Sequence, residues 1–114
     1  MASVDTSLVR KELKAIAARS KVVRKLLYEA LEGLEEDPSQ YSELEMYPAE
    51  LRQKYPDVVL RKVYIEHNPH NYRLVFIHWT FEDSSEHVDV IYAFPRKRGY
   101  PIDWEQVEQF LRDA

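Results

Sequence analysis

Arg96, Lys97 and Arg98 form an unbroken cationic run, and Arg61, Lys62 and Arg73 sit inside stretches of apolar and β-branched residues. Cations on neighbouring strands can converge on one sheet face. There they can clamp a phosphate and neutralise the charge that develops when a phosphodiester is attacked. Each also has a plainer reading, a solvated cation beside a surface carboxylate. Tyr100 follows the cationic run. Its phenol can stack on a base or donate a proton, or simply pack beside Pro101. His67 and His70 have an H-x-x-H spacing but flank Asn68-Pro69. A zinc site needs three or four supported ligands, so no metal and no cofactor is expected. One of His67, His70, His78 and His87 can instead serve in acid–base chemistry, because imidazole titrates near neutrality.

The composition narrows the chemistry further. The chain has 114 residues and no cysteine, which excludes disulfides, thiolate metal sites and cysteine nucleophiles. It has two glycines, Gly33 and Gly99, too few and too far apart for a glycine-rich phosphate loop. Hydrophobic residues make up 45% of the chain, enough for one packed core, so residues 1–114 are read as a single domain. No apolar run approaches the ~20 residues of a membrane span, and the first ten residues lack the apolar core of a signal sequence. A cytoplasmic protein without a membrane partner is therefore expected. The net charge of −4 is unevenly spread. Residues 8–28 hold seven basic side chains and one acidic, whereas residues 29–50 hold eight acidic and none basic.

Those side chains need elements to position them. Leu8, Val9, Leu13, Ile16 and Ala17 predict a first helix over 7–18, and Val22, Val23, Leu26, Leu27, Ala30, Leu31 and Leu34 a second over 21–36. Ser20 is its expected N-cap and Asp37-Pro38 its stop. A connector rich in Tyr and Pro follows, with a short helix over 49–54 opened by Pro48. Three strands are expected at 58–66, 72–81 and 88–94, joined by short polar loops and therefore an antiparallel meander. Alternation along the second puts Arg73, Val75, Ile77 and Trp79 on one face and Tyr72, Leu74, Phe76 and His78 on the other. A last helix over 104–112 has a capping box in Asp103 and Gln106. The expectation is an α+β domain: an N-terminal helical hairpin packed on a three- to four-stranded antiparallel sheet, with a C-terminal helix.

This order, together with Tyr72-Arg73-Leu74-Val75-Phe76 and the strand Val90–Phe94 leading into Pro95-Arg96-Lys97-Arg98, resembles the RelE/ParE superfamily of bacterial toxin–antitoxin toxins. The likeness covers residues 8 to about 104 and rests on short, mostly apolar strings. The family's opening strand has only Met1 to Val4 to match it. The glycine usual before Lys-Arg is Arg96, and Trp104 stands six residues beyond Arg98, where the RelE branch has a tyrosine.

The resemblance implies a metal-independent endoribonuclease that cleaves mRNA in the ribosome and is held in check by a cognate antitoxin. It implies Arg73, Arg98, Lys62 and Tyr100 as catalytic residues and Arg61, Arg96 and Lys97 as RNA contacts. The reaction uses the 2′-hydroxyl as nucleophile and needs a base, cations for the phosphorane-like charge and an acid for the leaving 5′-oxygen. The alternative is a non-catalytic protein of the same fold, either a gyrase-targeting ParE-like toxin or an inactive interaction module. The acidic stretch Glu29 to Glu50 and the aromatics Tyr41, Tyr47 and Tyr55 are a candidate partner surface, with solvated helix and core packing as the plainer reading.

Overall fold

A computed structural model describes residues 1–96 and 102–114. The elements are β1 (Ala2–Asp5), α1 (Arg10–Ala17), α2 (Lys21–Glu36), β2 (Glu43–Leu44), α3 (Ala49–Lys54), β3 (Val58–His67), β4 (His70–Thr80), β5 (Glu86–Pro95) and α4 (Trp104–Asp113). A single 3-10 turn, Ser7–Val9, precedes α1. The strands form one sheet in the order β1-β5-β4-β3-β2. The meander β3-β4-β5 is antiparallel as expected, but the sheet has five strands and is mixed, because β1 pairs parallel with β5. β1 and β2 have four and two residues, too short for a periodic signal, so the expected three- to four-stranded antiparallel sheet is corrected on both edges.

The hairpin of α1 and α2 covers one sheet face. Val9, Leu13, Ile16, Val23, Leu27 and Leu34 pack against Ile65, Tyr72, Leu74, Phe76, Val88 and Val90. These helix residues recur three or four positions apart, which puts them on one side of each helix and leaves the charged residues outside. Ser20 caps α2 by accepting a hydrogen bond from Val23 N–H at 3.1 Å. Ser20→Ala is expected to cost about 1 kcal/mol of stability, read as a shifted urea midpoint at constant slope. The helix ends at Asp37 ahead of Pro38, and Gly33 leaves room for the Tyr41 ring, which a β-carbon there would approach to 3.0 Å. The aromatic connector thus begins by folding back on α2.

The opposite sheet face is divided. Leu51 of α3 and Val107 and Leu111 of α4 bury Val58, Leu60 and Ile77, with Trp79, Ile91 and Tyr92 at the margin. Asp103 caps α4 by accepting from Glu105 and Gln106 N–H at 3.1 and 3.3 Å. The expected capping box is only half formed. Gln106 Oε1 accepts from the Tyr92 hydroxyl at 2.9 Å, and Asp103 N–H donates to the same hydroxyl. Burial pushes the Tyr92 phenol above its ordinary pKa, so it stays protonated and available as this donor. The rest of this face, toward the β3–β4 turn, is left uncovered by either helix. Among the described residues, no helix is long and apolar enough to cross a membrane.

Candidate functional site

The uncovered half of the sheet face carries a cluster of cations around one aromatic ring. Alternation along β3 sets Lys62, Tyr64 and Glu66 on this face. Arg73 of β4 lies directly opposite Tyr64, and Phe94 of β5 directly opposite Arg73. Arg96 follows β5 and is held by its backbone N–H, which donates to Asn71 O at 2.8 Å. The Tyr64 ring centroid is 4.0 Å from the Arg96 guanidinium carbon, 5.0 Å from that of Arg73 and 5.7 Å from Lys62 Nζ. Three cations, from β3, from β4 and from just beyond β5, therefore meet around one aromatic ring, whose negative quadrupole offsets their mutual repulsion.

Arg96 reaches this face because β5 is bulged. Val75 pairs with Tyr92 and Phe76 with Val90, leaving Ile91 as the extra residue. Before the bulge, Val88 and Val90 point to the hairpin. Strict alternation would send positions 92, 94 and 96 the same way. The extra residue reverses the phase, so Tyr92 joins the α4 side and Ala93 the hairpin side. The same reversal turns Phe94 and Arg96 to the cationic face.

Two carboxylates complete the cluster. Glu45 is 5% exposed, and its Oε1 and Oε2 lie 3.3 Å from Arg73 Nη1 and 3.3 Å from Lys62 Nζ. It comes from the connector, not from the meander. Glu43 and Leu44 pair with Lys62 and Arg61, and Glu45 N–H donates to Leu60 O at 3.0 Å. This short ladder at the sheet edge turns the Glu45 carboxylate over β3. Glu66 accepts from Arg96 Nη1 at 2.7 Å at a more exposed position. Lys62 and Arg73 are thus the inner, mostly buried cations, and Arg96 is the outer, solvent-facing one. Glu45→Ala is expected to lower stability by about 2–3 kcal/mol by leaving both inner cations without this carboxylate, a value reduced from fully buried pairs because each retains some exposure. Thermal melting of the variant checks it.

The structure brings together Lys62, Arg73 and Arg96. It does not bring Arg61 to them. Arg61 is opposite Phe76 and so points to the hairpin side, where its Nε donates to Ser42 Oγ at 2.6 Å and its Nη2 to Ser39 O. Adjacent strand residues face opposite ways, so Arg61 and Lys62 cannot share one face. Lys97, Arg98 and Tyr100 lie outside the described residues. Trp104 opens α4 and packs in the groove against Pro48 and Leu51 of the connector and α3, away from the cations. Glu45 and Tyr64 were not anticipated from the sequence. Tyr64 was legible from its spacing two residues beyond Lys62, whereas Glu45 looked like one more carboxylate in an acidic stretch.

The histidines have other partners. His67 and His70 face each other across the β3–β4 turn. Buried His78 lies on the hairpin side, where its Nε2 is 2.8 Å from Glu86 Oε1. His87 Nδ1 is 2.5 Å from Ser3 Oγ, its Nε2 is 3.0 Å from Asp89 Oδ1, and Asp89 Oδ2 accepts from Trp79 Nε1 at 2.8 Å. That chain ties the parallel edge strand β1 to β5. Nearby, Ser7 N–H donates to Asp5 and holds that carboxyl below its ordinary pKa. Among the described residues, no three His, Asp or Glu side chains are grouped as a metal site.

No family model, no curated protein and no solved structure matches the chain.

Proposed function

We propose that this chain is a RelE/ParE-like toxin of a toxin–antitoxin pair, a metal-independent endoribonuclease that cleaves mRNA in the ribosome. The observation that carries the reading is the convergence of Lys62, Arg73 and Arg96 on Tyr64, on the sheet face opposite the hairpin. In this proposal the exposed Arg96 meets the phosphodiester first, and Arg73 and Lys62 take up the charge of the phosphorane-like transition state. Tyr64 gathers the three cations through its ring and keeps them within reach of one phosphate. Glu45, within ion-pair distance of both inner cations, accepts the 2′-hydroxyl proton. Lys97, Arg98 and Tyr100, within four residues of Arg96 in the sequence, carry the roles that the resemblance implies. Lys97 adds to the phosphate grip, while Arg98 and Tyr100 stabilise and protonate the 5′-oxygen. The antitoxin is proposed to cover this face and neutralise its outer cations.

A second reading is a non-catalytic protein of the same fold, ParE-like or an inactive module. It is favoured by Glu45 and Glu66, which already pair the site's cations. Induced expression in a bacterium separates the two. The nuclease is expected to arrest growth and cut mRNA, and Arg73→Ala to do neither at equal soluble level. Arrest by both proteins without mRNA cuts would sink the nuclease and leave a protein target. Growth unaffected by either would leave the inactive module.

A further inference from the structure

The outer surface of the hairpin carries a second concentration of positive charge, separated from the cluster above by the whole sheet. Arg10, Lys11 and Lys14 of α1, Arg19 in the turn, and Lys21, Arg24 and Lys25 in the first half of α2 are all exposed. Of these seven, Lys25 alone makes an ion pair among the described residues, with Glu29 at 3.9 Å. Arg24 Nε is engaged by the carbonyl of Ala17 and so braces the turn. The chain does not lack acids, since it has 20 Asp and Glu, but Glu12 is the one acidic residue between 8 and 28. Elsewhere it neutralises helix cations in the ordinary way, as with Arg112 and Glu108 on α4. Here, among the described residues, it leaves six exposed side-chain cations without an ion pair on the outer surface of one hairpin, against the sign of its own net charge.

The apolar stripe of the hairpin is buried on the sheet. This surface therefore cannot insert into a lipid surface, which requires that stripe to face outward. Its one exposed aromatic is Tyr28, too little for the successive stacking that single strands use. What remains is a set of cations carried on two regular helices, suited to a regular array of phosphates. Eight residues of α1 span about 12 Å at 1.5 Å per residue, the length over which a duplex presents about seven charges.

We propose that the outer face of the α1–α2 hairpin docks the phosphate backbone of duplex RNA, as a site distinct from the cationic face around Tyr64. The duplex backbone follows from the charge array, and the choice of RNA over DNA rests on the proposed function. Such a surface would hold a structured RNA on one side of the sheet while a single strand is engaged on the other.

The test titrates a labelled duplex RNA of about 20 base pairs, without sequence specificity, at 50 and 200 mM salt. The proteins are wild type, the fourfold variant Lys11→Gln/Lys14→Gln/Lys21→Gln/Lys25→Gln, and Arg73→Ala. All four lysines are exposed, and melting curves confirm that the fourfold variant folds. Wild type is expected to bind with a steep salt dependence. The fourfold variant is expected to bind about 100-fold more weakly at the lower salt, with a salt slope smaller by about 3 to 4. Arg73→Ala is expected to bind the duplex as wild type does. Equal binding by wild type and the fourfold variant overturns the proposal, as does loss confined to Arg73→Ala. Binding of duplex DNA but not RNA, or of anionic phosphatidylserine vesicles but not RNA, also overturns it. Hairpin-dependent RNA binding without growth arrest or mRNA cleavage would keep this surface and remove the nuclease reading instead.

Discussion

Phe76→Ala is expected to destabilise the protein by about 4 kcal/mol, within the 3–5 kcal/mol range of such truncations. Phe76 is fully buried and is the largest of the fully buried side chains. It sits on the central strand β4, with Arg61 and Val90 as its partners on β3 and β5. From there it projects into the layer formed by Leu27, Leu34 and the rest of the hairpin stripe. Two features prevent the cavity from collapsing. The strand is hydrogen-bonded on both sides, and the β5 bulge next to Phe76 already sets the local phase. A loss of this size is a large part of the 5–15 kcal/mol that holds a typical domain together. It corresponds to a drop in melting temperature of roughly 10–20 °C for a chain of this length. Urea denaturation should show a lower midpoint at unchanged slope. A loss under about 1.5 kcal/mol would mean that the hairpin and sheet are not packed through this residue as described.

The second large effect concerns activity. In the proposed nuclease, Arg73→Ala is expected to reduce mRNA cleavage about 100- to 1,000-fold, the usual consequence of removing one preorganised donor to transition-state charge. Stability should fall less than in Glu45→Ala, because Glu45 keeps its contact with Lys62 at 3.3 Å in the arginine variant. The two substitutions should also be non-additive. Once Glu45 is gone, Arg73 has lost this pairing, so removing Arg73 as well should recover about 1 kcal/mol or more of the expected sum. Measuring cleavage and melting on Arg73→Ala, Glu45→Ala and the double variant therefore tests role and geometry together. If Arg73→Ala cleaves as wild type while its stability falls, Arg73 is a structural partner of Glu45 and the proposed chemistry is wrong. Arg73→Lys sharpens the contrast, because lysine keeps the charge but loses the planar donor fork.

Much of the scaffold was readable from local pattern. The apolar spacing of α2, its Ser20 cap and its stop at Pro38 are encoded within about one helix length, and the short helix at Ala49–Lys54 follows from Pro48. Alternation along Tyr72 to Trp79 gave the two side-chain sets, because side chains on a strand must alternate, but both faces are core: Val75 and Ile77 beside Arg73 are as fully buried as Leu74 and Phe76. The same rule, applied to Arg61 and Lys62, shows that one of the two had to leave the site.

The rest was settled by contacts between residues far apart in the chain. Four residues at the N-terminus became a parallel edge strand because β5 offered them a backbone ladder from Glu86 to Asp89. Glu45 became part of the site because two connector residues paired with the edge of β3, at Arg61 and Lys62. Arg96 came to the same face as Lys62 and Arg73 through one extra residue in β5, whose presence depends on how β5 registers against β4. The sequence by itself determined the helices and the three strands of the meander, because those follow from propensity and period along the chain. Only the tertiary structure decided which charged groups meet, because strand register, the bulge and the edge pairing are properties of two segments in contact.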